Sequence, residues 1–211
     1  MLITIDLVSS LVADQFPKWE GLPVSPVARS GWDNRTFRLG SDKLVRLPSG
    51  EQYAPAIEVE QTWLPKLAPK LPVAIPDVLG LGKPASSFPW QWSIFSWIEG
   101  GNPEKRDADK ALAGQLAAFL KALHKIPSDH GPLPGARNFH RGGQLIHYDT
   151  QTQSAIKRLP NQNKREAATQ IWEEALDSDW TYDPVWVHGD FAAGNLLIHD
   201  GSLSGVIDFG Q

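Results

Sequence analysis

The part of this chain that most restricts how it can fold lies in its last sixteen or so positions. Leu196-Leu197-Ile198 and Leu203 to Ile207 are short apolar runs separated by His199-Asp200-Gly201-Ser202. An Asp-Gly pair between two such runs specifies a tight β-hairpin, because both residues tolerate the left-handed backbone that a two-residue turn needs. Antiparallel pairing then returns the chain to a point beside its start. Asn195 and Asp208 bound the hairpin, so the pairing carries the Asp208 carboxylate back toward the Asn195 carboxamide.

Just upstream, Val185-Trp186-Val187 reads as an apolar strand that runs into the loop His188-Gly189-Asp190, with Asn195 five positions after the Asp. This Asp-to-Asn spacing is that of the protein-kinase catalytic loop, in which the Asp accepts a hydroxyl proton and the Asn holds a metal ion. Here His-Gly-Asp stands in place of His-Arg-Asp. Asn195 and Asp208 are hard oxygen donors of the kind that Mg²⁺ on nucleotide phosphates requires. Any one of the three residues could cap a turn or end a strand. It is the ordered set of a base and two metal ligands that points to phosphoryl transfer.

Composition narrows the classes around that core. The 211 residues are 41% hydrophobic, enough for one compact domain or two small lobes. A formal net charge of -4 gives no field for nucleic acid or anionic lipid. With no cysteine, thiolate metal sites and cysteine nucleophiles are excluded. The first residues have no basic n-region and no long apolar run, which is the pattern of a cytoplasmic chain without a membrane segment. Nine tryptophans are read as core and groove packing.

Along the chain, apolar spacing predicts a helix over about 5–15, strands over Val24–Val27, Thr36–Leu39 and Lys43–Leu47, and a helix from Pro55 to Leu67. Two more strands, Val78–Leu81 and Gln91–Trp97, precede Glu99-Gly100-Gly101-Asn102-Pro103, a hinge-like break taken as a lobe boundary. Beyond it Lys110–His124 is the strongest helix. Pro127–Gly143 reads as a surface loop bordering a substrate site, and helices over 150–159, with Asp149 as N-cap, and 164–176 lead to the terminal motifs.

His188 to Asn195 followed by Val206-Ile207-Asp208-Phe209-Gly210 resembles the signature of the aminoglycoside phosphotransferase family. Gly31 to Leu39, Trp63 to Pro69 and Phe139-His140-Arg141-Gly142-Gly143 resemble segments of one bacterial branch of it. The resemblance implies an α+β, protein-kinase-like fold of two lobes: a β-rich, nucleotide-binding N-lobe over 1–98 and a mainly helical C-lobe over 99–211, with ATP between them. It further implies Asp190 as the catalytic base, His188 as a brace of the loop, and Asn195 and Asp208 as Mg²⁺ ligands.

Carried over position by position, the resemblance puts Arg46 where the third strand usually offers a Lys to the phosphates, a replacement that alters geometry because a guanidinium fork is not an ammonium. Glu60 is the helix carboxylate expected to pair with Arg46, with Glu58 as the alternative on another face. Gly31 and Asn34, in the turn Ser30–Asn34, would cover the phosphates, although a single Gly replaces the Gly-rich loop of protein kinases. The hinge Phe95–Gly100 would meet the adenine edge through the backbone of Ser96 and Ile98. Such recognition does not separate ATP from GTP.

Members of the family continue past the Asp-Phe-Gly motif with further helices, whereas this sequence stops at Gln211. The expectation is therefore an incomplete C-lobe, with apolar surface exposed at Leu116, Leu120 or their neighbours that invites a homodimer or aggregation. The function expected is transfer of the γ-phosphoryl group of ATP to a hydroxyl of a small molecule, an aminoglycoside-like antibiotic or a metabolite. The alternative is a family member that binds nucleotide but is catalytically impaired. A metal-dependent phosphohydrolase using His188, Asp190 and Asp208 is a third reading, one that leaves the Asp-to-Asn spacing without a role.

Overall fold

In the structure, a computed structural model that describes residues 2–27, 31, 33–104, 110–128 and 130–210, α1 (Ile5–Gln15) starts where the Thr4 hydroxyl accepts from the Leu7 N–H at 3.2 Å. Its buried residues Val8, Leu11 and Val12 recur at helical spacing and form one apolar face. β1 (Val24–Pro26), β2 (Asn34–Leu39) and β3 (Lys43–Pro48) follow, then α2 (Ala54–Leu67), β4 (Val78–Gly82) and β5 (Trp92–Ser96). The five strands form one antiparallel sheet in the order β1-β2-β3-β5-β4.

Strand alternation sorts β3 onto two faces. Val45 and Leu47 are buried with Ile94, Trp92 and the α1 side chains. Arg46, between them, points the other way, toward α2. That helix is tied to the sheet by Gln61, whose Nε2 donates to Ser93 Oγ at 2.8 Å and to the Gly80 carbonyl at 3.3 Å. Gly82 is where β4 crosses Trp92: a Cβ there would lie 1.9 Å from the indole, so only glycine lets the strand pass.

The second half of the chain packs α3 (Lys110–His124), through Leu112, Phe119 and Leu123, against the ends of α2 and the hairpin β6 (Leu196–His199) and β7 (Ser202–Val206). α4 (Asp149–Lys157) and α5 (Gln162–Leu176) are peripheral: Ile156 is the buried residue of α4, and α5 buries none. No helix among the described residues is long and apolar enough to cross a membrane. The architecture is α+β, a β-rich N-lobe followed by a mainly helical region.

Three sequence expectations need correction. Residues 185–187 are irregular and form no strand, and among the described residues no strand pairs with them. Asp149 is the first residue of α4 and not its N-cap; Tyr148 holds the cap position, and Asp149 Oδ1 instead accepts from Trp172 Nε1 at 2.7 Å, joining α4 to α5. Leu116 and Leu120 are half-buried against the core, so the exposed surface invoked for a homodimer is not located there. The exposed large apolar side chains are elsewhere, among them Leu133, Phe139, Ile171, Trp180 and Tyr182.

Candidate active site

Arg46, near the middle of β3, is the hub of the N-lobe side. Its Nη1 donates to Glu60 Oε1 at 2.5 Å, and its Nη2 meets Asp208 Oδ1. Asn34, with its amide oxygen turned toward β3, accepts from Arg46 Nε at 3.0 Å and Nη2 at 2.8 Å. Glu60 is 1% exposed. Burial pushes its carboxyl above the ordinary 4.5, against the pull of Arg46 and with the push of Asp208. For Arg46, burial works against the charge, yet Glu60 and Asp208 more than offset it and raise its pKa.

On the other side, the hairpin that the sequence specifies is present, and both residues of its turn, Asp200 (φ 49°) and Gly201 (φ 73°), are left-handed. Its pairing continues outward through the Ile207 N–H, which donates to the Asn195 carbonyl at 2.9 Å. That bond sets the residue before Asp208 beside Asn195. Asp208 itself has φ 72°, a conformation costly for a residue with a Cβ and common where a functional side chain is re-aimed. Asn195 Nδ2 donates to the Asp190 carbonyl at 2.9 Å and to Asp190 Oδ2 at 3.0 Å, so the loop closes on itself around the Asp190 carboxylate.

His188 is buried and bonded at both ring nitrogens: Nδ1 accepts from the Asp190 N–H at 3.3 Å, and Nε2 donates to the Ile207 carbonyl at 2.9 Å. Only a neutral imidazole protonated at Nε2 makes both bonds. Burial lowers its pKa accordingly, although the Ile207 carbonyl, Asp208 and Asp190 all favour the cation. Phe209 lies edge-on to the ring with centroids 4.6 Å apart. With both nitrogens engaged by the backbone, His188 has no lone pair to offer a metal, which removes a ligand from the phosphohydrolase reading.

The structure thus brings together six of the residues singled out in the sequence: Arg46, Glu60, Asn34, His188, Asn195 and Asp208, with Asp190 joined to the set through Asn195 and His188. Glu58, the alternative to Glu60, is exposed on another face of α2. Asn34 is not in a loop; it is the first residue of β2, 5% exposed, and it touches Arg46. Gly31 is exposed, with its carbonyl accepting from Arg35 Nη1 at 3.1 Å. Ser30 and Trp32 of the same turn lie outside the described residues. The Ser96 N–H already donates to the Asp77 carbonyl at 2.9 Å, and its hydroxyl accepts from the Asp77 N–H at 3.0 Å, so recognition of an adenine edge cannot use that amide.

Sequence reasoning missed Asn102 and Arg141. Asn102 follows the Gly100-Gly101 break, and its Nδ2 points at three carbonyls, Gly194 (2.8 Å), Leu196 (3.1 Å) and Ala193 (3.3 Å). Gly101 also pairs with Ile198 by N–H to carbonyl bonds of 3.0 and 2.7 Å in the two directions. The segment read as a hinge-like lobe boundary is thus also a strap across the Asn195 turn. Arg141 places Nη2 3.9 Å from Asp190 Oδ1. It was visible only as part of a matched segment, since nothing in its local spacing connects it with Asp190.

Chemically, the site offers a carboxylate held by an amide, a second carboxylate on a guanidinium, and a carboxamide whose nitrogen is committed and whose oxygen is the end left for a cation. Asn195 and Asp208 fit a hard divalent ion by donor type. Among the described residues no group of three or more His, Cys, Asp or Glu side chains could hold a metal alone.

Residues 24–211 match the model of a family described as the phosphotransferase enzyme family. Among curated proteins, an aminoglycoside 3'-phosphotransferase of Salmonella typhimurium is 28% identical over 112 residues, which is 51% of this chain and 40% of that protein; the chain thus matches about two fifths of the relative's length. Among solved structures, the GDP complex of wild-type aminoglycoside 2'-phosphotransferase-IIIa superposes with a TM-score of 0.75 at 22% identity, covering 99% of this chain and 73% of that one. The streptomycin-ATP-APH(2")-IIa ternary complex gives 0.63 at 23% identity, covering 99% and 71%. These likenesses establish the fold.

Proposed function

The chain belongs to the phosphotransferase enzyme family, and from that premise we propose that it moves the γ-phosphoryl group of ATP to a hydroxyl of a small molecule. The observation that carries this reading is the convergence of Asp208 on the Arg46–Glu60 pair, which joins the end of the hairpin to β3. We place the division between a nucleotide-binding lobe and a catalytic lobe at 98/99, and the protein in the cytoplasm, where its donor is.

Bound Mg·ATP would supply an electrophilic γ-phosphorus whose oxygens are screened by the cation. Asn195 and Asp208 would hold that cation, with phosphate oxygens completing its shell. Arg46 would turn the Nη2 edge that meets Asp208 toward the phosphates, while Glu60 and Asn34 keep its fork in plane. Asp190 would take the proton of the acceptor hydroxyl as that oxygen bonds to phosphorus and the bond to ADP breaks. Asn195 holds one carboxylate oxygen of Asp190, and neutral His188 fixes the loop against the strand leading to Asp208. The Ser96 carbonyl and the backbone of Ile98, next to the lobe boundary, would meet the adenine edge, and Gly31 would lie on the phosphate side.

The relatives named above act on, or are bound to, aminoglycosides, and a polyhydroxylated amine is the acceptor class we infer first. The test is calorimetric titration of Mg·ATP followed by an ADP-release screen over aminoglycosides, macrolides, sugars and amino alcohols. Asp190→Asn should keep nucleotide affinity and lower release roughly a hundredfold or more. No nucleotide binding in the presence of Mg²⁺ would overturn the proposal.

A further inference from the structure

Arg141 sits in a stretch of backbone that is unusual for residues with side chains. Phe139 (φ 54°) and His140 (φ 58°) precede it in left-handed conformations, and Gly142 (φ 73°) follows. Such a run is unfavourable in isolation and persists only when its surroundings impose it. Here they do. Asn138 Oδ1 accepts from the Gly135 N–H at 2.8 Å, the His140 N–H donates to the Gly135 carbonyl at 2.8 Å, and the Tyr148 hydroxyl donates to the Phe139 carbonyl. Gly142 is pressed against the segment before His188, for a Cβ on it would lie 2.7 Å from Val187 Cγ2.

This construction delivers one guanidinium to Asp190. Nη2 of Arg141 is 3.9 Å from Oδ1, close enough for an ion pair and too far for a hydrogen bond. The other carboxylate oxygen, Oδ2, belongs to Asn195. Arg141 Nη1 is buried and has no hydrogen-bond partner within the protein. A buried guanidinium nitrogen without an acceptor is costly, so a turn of the partly exposed fork that brings Nη1 to an acceptor on a ligand would be favoured.

We propose that Arg141 is a charge-bearing residue of the transfer step, and that the missing acceptor is an oxygen of the phosphoryl group in flight. This rests on the phosphotransferase reading above. In that reading the acceptor hydroxyl lies on Asp190 and the phosphoryl group one bond beyond it, within the span of a guanidinium already beside that carboxylate. Negative charge spread over the phosphoryl oxygens at the transition state is what a pre-placed cation stabilises.

The test uses ADP with Mg²⁺, with and without aluminium fluoride, a planar mimic of the phosphoryl group in transfer, on the whole chain. Wild type should bind Mg·ADP and bind it more tightly when fluoride is added. Arg141→Gln should keep the Mg·ADP affinity and lose most of that tightening, roughly tenfold or more, and Arg141→Lys should regain part of it. If Arg141→Gln does not fold, the lysine variant decides alone: tightening equal to wild type overturns the proposal, because a point charge cannot reproduce the fork. Undiminished tightening in the glutamine variant, or Mg·ADP binding by wild type with no tightening at all, also overturns it. Failure of wild type to bind Mg·ADP defeats the phosphotransferase reading itself, a separate outcome.

Discussion

On the N-lobe side, Arg46 and Glu60 stand on a strand and a helix whose places are set by register and burial, and Glu60 is 1% exposed. On the other side, Asp190 stands on an irregular loop with its side chain 40% exposed, held by bonds to Asn195 and His188. The first region is charge already committed inside the protein. The second is charge presented at the surface and steadied by the backbone around it. A phosphoryl-transfer site needs both: a fixed cation to receive phosphates, and a base open enough to meet an acceptor that changes from one substrate to the next.

The sharpest way to break this comparison is to remove a carboxylate from each side. Glu60→Ala leaves the Arg46 guanidinium buried with Asp208 as its remaining carboxylate, and loss of one partner of a buried pair costs about 3–5 kcal/mol. Asp190→Ala removes a partly exposed side chain that accepts one hydrogen bond from Asn195 and should cost less, about 0.5–1.5 kcal/mol. Urea denaturation of the three proteins measures both. Equal losses would mean that the fold depends on the loop that carries Asp190 as much as on the Arg46 network.

The difference between the regions also explains what could be read from the sequence. The N-lobe helices and strands fall within about a turn of their expected ends, because periodic burial and punctuation by Gly and Pro determine them locally. The hairpin was legible for the same reason, through Asp200-Gly201. Residues 185–187 were not: an apolar run specifies a strand only when a neighbour exists to pair with it, and that is a tertiary fact. Asn34 was placed in a loop because the turn before it dominates the local pattern, whereas its buried position against Arg46 follows from the β2–β3 register. Asn102 and Arg141 depend on contacts across 92 and 49 positions, which no local spacing encodes.

Asn102 offers the intermediate effect. Asn102→Ala withdraws one amide from the carbonyls of Ala193, Gly194 and Leu196, at a cost of about 1–3 kcal/mol if they stay dry and less if water replaces it. Hydrogen exchange should quicken at Asn195 and Leu196 while the amides of β2 and β3 keep their protection. Uniform acceleration across both lobes would show that the strap supports the whole fold. Confinement to the Asn195 turn would show that it serves the site.

The smallest effect concerns protonation of His188, and its sign follows from the two ring bonds. The neutral ring accepts from the Asp190 N–H through Nδ1 and donates to the Ile207 carbonyl through Nε2, and burial sets its pKa below the ordinary 6.5. The unfolded chain therefore binds a proton at a higher pH than the folded one does, and stability must rise with pH across that interval. The contribution of the neutral ring is complete above about 6.5 and is lost as the pH falls toward the lower folded value. The chain carries five other histidines, so the useful quantity is a difference. His188→Gln carries no titrating ring, and its stability should fall less steeply than wild type between pH 7 and 5. Parallel curves would mean that the histidine becomes charged in place, with Nδ1 giving up its bond to the Asp190 amide and the loop accepting that loss without cost.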